Sequence, residues 1–424
     1  MKSVQLCVLV TVLLCVQATQ AFVEVYNWKQ VEYHNLPLKE NTYIGKYSYY
    51  IPENNALMGL THHSPSGLTI VTVPRVKPGI PSTLNAYCTS DYKFGSSPCP
   101  WGFPSYDRNT LKSHYYDSKN TKDDCIISVF SPYIHQECHR LYALDTGVLE
   151  YGPKGYYHVQ NPAILVYQLS TDCCKTRKFP LVKRLEIPSS VYKNPAGFMH
   201  IFADPKAYGK CDDVIVYLPN AYDNCLVVCD LKSGKFWTVS DPSMAPVQAE
   251  SKIVFNGDYY KFPLGLSISA KQGTSNSHVY YTPLASFGTY SVSKNQLWNP
   301  SSVYNSSSFN LLGYRGCHSQ SFFQNINADT NVMFIQQMAA NELRCWNLNH
   351  RLSSDTVGVV FRGDDEALVS DITIDSEGYI WFISGQFFSN YVSESPIDLY
   401  NVNTRMYRAK AKDVIHGTTC ANYY

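Results

Sequence analysis

A chain of 424 residues with 35 basic and 34 acidic side chains has a formal charge of +1 and lacks the basic excess of a nucleic-acid binder. Charged residues make up only 16%, hydrophobic residues 45%, and tyrosines number 34, a composition suited to a large core of strands. After the first 21 residues, no segment offers the ~18 uninterrupted apolar residues of a membrane-spanning helix, so no membrane partner is expected.

The chain opens with a secretory leader over residues 1–21. Lys2 provides the positive end, Val4–Val16 the apolar stretch, and Thr19-Gln20-Ala21 a small-residue cleavage site. The rest, 22–424, reads as one domain. Strand-like runs follow at Arg140–Asp145, Ala163–Leu169, Val214–Leu218, Leu226–Leu231, Gly265–Ser269 and His278–Pro283. They continue at Val332–Gln337, Leu343–Leu348, Val357–Phe361 and Ile397–Val402, separated by turns rich in Gly, Asn, Asp, Ser or Pro. Convincing amphipathic helices are absent.

The clearest signal is late in the chain. Asp371-Ile-Thr-Ile-Asp375-Ser-Glu-Gly378-Tyr-Ile-Trp381-Phe-Ile-Ser-Gly385 alternates apolar residues, turns at a glycine, and runs back. Strands at this density over some 400 residues are too many for one ordinary sandwich. Radial repetition leaves only short, protected edges, and a six-bladed β-propeller would allot roughly 65 residues to each blade. Two β-sandwich domains are the competing arrangement.

Of the 14 cysteines, Cys7 and Cys15 leave with the leader. The remaining even number in an exported chain argues for disulfides, with connectivity open. Cys88 and Cys99 bracket a loop rich in Pro, Gly and Ser and are expected to pair locally. Asn305-Ser-Ser is an acceptor for N-glycosylation. Both features point to a secreted, extracellular protein.

Enzyme signatures are scarce. The Gly-x-Ser-x-Gly elbow, the His-Glu-x-x-His pair and the phosphate-cradling loop are all missing from the sequence, and no cofactor is expected. His135-Gln-Glu-Cys138-His139 groups potential metal ligands, but a zinc site needs four convergent donors, so the expectation is no metal. His62 and His63 are adjacent on a strand and should point to opposite faces. His200 and His318 are candidate proton-transfer groups if they face a central channel. Six Tyr-Tyr pairs occur, at 49–50, 115–116, 156–157, 259–260, 280–281 and 423–424. In an extracellular matrix, exposed phenols can be oxidatively coupled.

Several segments, in order along the chain, resemble the Yellow and major royal jelly protein family of insects. They are Val73-Pro-Arg75-Val-Lys-Pro-Gly79-Ile-Pro81-Ser-Thr-Leu84, Cys138-His-Arg-Leu-Tyr-Ala-Leu-Asp145-Thr-Gly147, Asn161-Pro-Ala-Ile-Leu-Val-Tyr167, Cys345-Trp-Asn347, the hairpin Ser370–Gly385, and Gly417-Thr-Thr-Cys420. The resemblance implies an all-β, six-bladed β-propeller with a central ligand channel. It also implies disulfides Cys138–Cys211 and Cys345–Cys420, the second closing the ring. His62-His63-Ser-Pro-Ser-Gly and the insert Cys88–Pro104 resemble the eggshell-associated Yellow-g type.

Amine-binding salivary relatives imply ligand positions at Ser370, Gly385 and Phe387. Gly385 stands where they carry Asn, which removes a polar partner. The resemblance therefore suggests a structural or ligand-binding matrix protein, in eggshell or cuticle hardening and pigmentation, with a small catechol or amine and other matrix proteins as partners. The alternatives it implies are a dopachrome-converting, tautomerase-like enzyme and a soluble binder of biogenic amines.

Overall fold

The computed structural model describes residues 22–37, 43–44, 47–112, 125–152, 155–255, 258–261, 265–271, 277–305, 307–363, 367–392 and 396–421. The leader and the tyrosine pairs 115–116 and 423–424 lie outside these residues. Six antiparallel four-stranded sheets form six blades in chain order, with short strands punctuated by turn residues.

Blade one contains Leu60–His63, Leu68–Thr72, Leu84–Cys88 and Trp101–Gly102. Blade two contains Tyr133–His135, Arg140–Asp145, Ala163–Gln168 and Leu181–Glu186, with the hairpin Val148–Gly152 and Gly155–His158 inserted between its second and third strands. Blade three is Phe202–Pro205, Val214–Asn220, Cys225–Asp230 and Lys235–Ser240. A second inserted hairpin, Lys252–Phe255 and Asp258–Lys261, precedes blade four, which is Leu266–Ala270, His278–Pro283, Gly288–Ser293 and Phe309–Tyr314. Blade five is Gln324–Asn327, Val332–Gln337, Glu342–Asn347 and Val357–Arg362.

Blade six takes three strands from the C-terminal end, Leu368–Ile374, Tyr379–Gly385 and Thr404–Lys410. Its fourth comes from the beginning of the chain: Val23–Trp28 pairs antiparallel with Thr404–Lys410, from Val23 opposite Arg408 to Trp28 opposite Thr404. Strand pairing therefore closes the ring, and the closing role expected of Cys345–Cys420 is corrected. Three disulfides instead tie neighbouring blades. Cys138–Cys211 joins the first turns of blades two and three, and Cys345–Cys420 joins blade five to the tail that follows blade six. The local Cys88–Cys99 pair is also corrected. Cys88, on the third strand of blade one, is bonded to Cys174 beyond the third strand of blade two. Cys99, Cys173, Cys225, Cys229 and Cys317 are free thiols.

The expected strand Ile397–Val402 is a loop. Pro396 precedes it, and Asp398 then folds the backbone on itself, accepting from the Tyr400 N–H and the Asn401 amide. The strand starts at Thr404, once Asn403 has turned its amide to the carbonyls of Lys29 and Asp398. By contrast, the hairpin Leu368–Gly385 forms around a turn in which Gly378 sits at φ +76°, a conformation open to glycine.

Buried polar groups stitch the inner ends of the blades. Arg75 uses all five of its N–H donors on the carbonyls of Ile80, Pro81, Asn109, Ile126 and Ile127, which fixes the course of the chain between blades one and two. Asp371 sits in a β-bulge of the innermost strand of blade six, at φ +36°, and is 2% exposed. Its carboxylate accepts from the Leu60 N–H at 2.8 Å and from Ser131 Oγ at 2.9 Å, so blade six is hydrogen-bonded directly to blade one and to the segment entering blade two. Burial raises its pKa to about 7. Three histidines occupy the inner strands of the first two blades. His62 stacks on Trp381 with centroids 4.4 Å apart, His63 faces His139, and His135 Nδ1 accepts from the Cys138 N–H.

Two measurements test this account. Replacing Cys345 and Cys420 with serine opens a loop of 75 residues and should cost about 4 kcal/mol of unfolding free energy, read as a lowered urea midpoint by circular dichroism. A loss near zero would mean that the tail is held without the bond. The histidines predict acid sensitivity. Burial, which leads in each case, lowers the pKa of His62 to about 3 and those of His63 and His135 to about 4. Between pH 6.5 and about 4 the unfolded chain therefore binds protons that the folded chain does not, so stability falls as pH falls. Asp371, raised to about 7, works in the opposite sense over the same range and offsets part of it. The urea midpoint should drop from pH 7 to pH 4.5, and His62→Phe should flatten that dependence.

Candidate functional site

The residues that the resemblance assigned to ligand binding lie at one end of the axis, where the inner strands begin. Ser370 is fully buried, and its hydroxyl donates to the Met58 carbonyl at 3.3 Å. Gly385 pairs with Thr404, and a Cβ placed on it would lie 3.0 Å from Thr404 Oγ1. An asparagine at this position would need Thr404 to move, so glycine fits the packing here. Phe387 is 3% exposed and lies parallel to Tyr391, with centroids 6.1 Å apart, in the short helix Phe387–Val392.

Around Phe387 the chain builds an aromatic cluster. Phe130, Phe322, Phe323, Phe387 and Phe388 share one hydrophobic core with Met58, Leu368 and Val369. Val148 of the first inserted hairpin and Ile253 of the second belong to the same core. Each insertion thus contributes a residue to this core. The sequence did not signal this core, because it draws single residues from many separate connections.

His200 lies at the edge of the cluster, just before the inner strand of blade three, with its ring 5.4 Å from that of Phe323. Neither ring nitrogen reaches a hydrogen-bond partner of good geometry. Burial lowers its pKa to about 4, slightly opposed by the Ile201 backbone, so the ring is neutral near pH 7. A neutral imidazole can accept or donate a proton. His318 is placed differently. It is exposed at φ +58° in the connection between blades four and five, and that connection packs at Gly316 against Ser354, in the outer half of blade five.

The His135–His139 segment and the His62–His63 pair meet in a way the sequence did not reveal. His63 Nε2 and His139 Nδ1 are 2.8 Å apart, while His63 Nδ1 faces Ser66 Oγ at 2.7 Å. The two ring centroids are 5.0 Å apart, close to the widest separation that this nitrogen contact permits. The facing nitrogens therefore point along one line and share a proton. A zinc ion would need about 2.0–2.1 Å to each nitrogen, and the gap has no room for it. Among the described residues, no group of three or more His, Cys, Asp or Glu side chains converges on a metal position.

The opposite end of the axis is open. Where the inner strands of blades four, five and six reach their first turns, a cavity of ≈ 240 Å³ is bordered by Ala270 and Lys271, Asn325 to Asp329, and Ile374 to Ser376. Tyr133, Gln136 and Phe202 complete it from blades two and three.

Comparison with known proteins places the chain. Residues 127–420 match the family described as Major royal jelly protein. L-dopachrome tautomerase yellow-f of Drosophila melanogaster is 28% identical over 424 residues, covering 94% of each chain. The Yellow-related salivary protein SP03 of Phlebotomus perniciosus is 29% identical over 93% of each chain. ASP2 of Phlebotomus orientalis, also a Yellow-related salivary protein, is 30% identical over 93% of each chain. With a six-bladed ring and a family match from blade two to the last cysteine, the chain belongs to the major royal jelly protein family, which includes the Yellow proteins.

Proposed function

We propose that this chain is an extracellular Yellow-type matrix protein that is incorporated into an insect eggshell or cuticle layer during hardening and pigmentation. The extracellular setting is supported by three disulfides and by salivary relatives. Asn305 is exposed and would carry a glycan.

The observation that carries the reading is where the phenols stand. Tyr208 is 84% and Tyr400 87% exposed, and Tyr314 is 56% exposed. Tyr156 and Tyr157, on the strand Gly155–His158 of the first inserted hairpin, are both exposed, while Val148 and Leu149 on the partner strand are buried. In the pair Tyr280 and Tyr281, on an inner strand of a four-stranded blade, Tyr281 is buried instead. Accessible phenols are the groups that oxidative hardening uses. A peroxidase with hydrogen peroxide removes one electron and one proton from each of two phenols, the peroxide is reduced to water, and the two phenoxyl radicals join ring to ring. The Yellow-g type eggshell role is the finer form of this proposal.

A second reading is favoured by His200 and by the yellow-f relative. The buried, unpaired imidazole could move the proton in a dopachrome tautomerisation.

The two readings separate experimentally. Peroxidase and hydrogen peroxide should convert the purified protein into covalent multimers with dityrosine fluorescence. Replacing Tyr156, Tyr157, Tyr208, Tyr314 and Tyr400 with phenylalanine should remove most of that yield while leaving the circular dichroism unchanged. An unaltered yield would overturn the matrix proposal. For the enzyme reading, dopachrome loss should be accelerated by the protein and slowed at least tenfold by His200→Ala. No acceleration by the parent protein would exclude it.

A further inference from the structure

We propose that the open cavity at the turn end of the axis binds a single neutral sugar ring. The inference stands on this cavity and not on the matrix role. Its volume of ≈ 240 Å³ is below the usual span of small-molecule pockets, so it suits one ring and not an extended chain.

The lining is built with fixed polarity. Gln136 Nε2 donates to the His62 carbonyl at 2.6 Å, which fixes the amide and leaves Oε1 buried without a partner. A buried acceptor in this state destabilises the fold until a ligand hydroxyl or a water donates to it. Asn327 is fixed in the opposite sense. Its Oδ1 accepts from the Thr330 N–H at 2.9 Å and from Thr330 Oγ1 at 2.8 Å, so Nδ2 remains to donate. Gln136, whose acceptor finds no partner within the fold, and Asn327, with an oriented donor, thus both border the cavity. Tyr133 and Phe202, with ring centroids 4.7 Å apart, make an aromatic wall beside them.

Charge argues for a neutral occupant. Lys271 and Asp329 both border the cavity and oppose each other in sign. The third charged group, Asp375, is already engaged: Oδ2 accepts from Trp381 Nε1 at 2.7 Å, and Oδ1 accepts from the N–H groups of Glu377 and Tyr379. A hexose has hydroxyls that both donate and accept around its edge and a C–H face that lies flat on an aromatic ring. An aromatic cation such as dopamine would bring its charge beside the Lys271 ammonium.

Saturation-transfer NMR on the full-length secreted protein tests this, with glucose and N-acetylglucosamine as probes and dopamine as the comparator. Saturation should pass to sugar ring protons, with little transfer to dopamine. Ala328→Trp blocks the mouth from an exposed turn position and should reduce the sugar signal at least fivefold with circular dichroism unchanged. Gln136→Met removes the orphan acceptor and should reduce it similarly. No transfer to either sugar, transfer unaltered in Ala328→Trp, or preferential transfer to dopamine would each overturn the proposal.

Discussion

The structure depends on the pairing of Val23–Trp28 with Thr404–Lys410. A propeller blade buries its faces against its neighbours, so an open ring leaves two blade faces wet and one blade a strand short. Supplying the outer strand of blade six from the start of the chain makes closure a long-range contact between opposite ends. Tyr26 and Trp28 then sit buried in one core with Tyr87 of blade one and Trp381 of blade six. Those aromatic contacts hold the seam between first and last blades, and the buried area repays the entropy of bringing the ends together.

Hydrogen bonds act inside that seam. The positive φ of Asp371 is costly for a residue with a Cβ, and it persists because the bulge aims the carboxylate at Leu60 and Ser131. Arg75 and Arg315 serve similar ends elsewhere. Arg315 spreads its donors over Ser286, Gly288, Thr289 and Ser319, and burial lowers its pKa to about 9. Lys294 and Asp204 form a wholly buried ion pair at 2.6 Å between blades four and three. Removing either partner would strand a charge in the interior, so such a pair restricts which residues the position tolerates more than it adds stability.

These constraints also shape the two ends of the axis. At the end where the inner strands begin, Phe130, Phe322, Phe323, Phe387 and Phe388 share one core with Val148 and Ile253 of the two inserted hairpins. At the other end tight turns with polar residues surround a space they do not fill. The scaffold is the family's, while what either end can bind is set by side chains on connections that vary in length and composition.

The local pieces are written in the order of the amino acids alone. Period-2 runs located most strands, the Asp375–Gly378 turn located the last hairpin, and family motifs gave the six-bladed ring. Alternation and turn chemistry act between neighbours in the chain, so they are legible there. What residues far apart in the chain do to one another follows from how the blades stack. Cys88 passes over nearby Cys99 for Cys174, 86 residues away, because the packing of blades one and two sets those Cα atoms 5.8 Å apart. His63 finds His139 across the same interface. Ser370 and Phe387 are buried against residues far away in the chain, Met58 and Phe130 among them. Distances across an interface depend on how whole sheets stack, and no spacing along the chain encodes that.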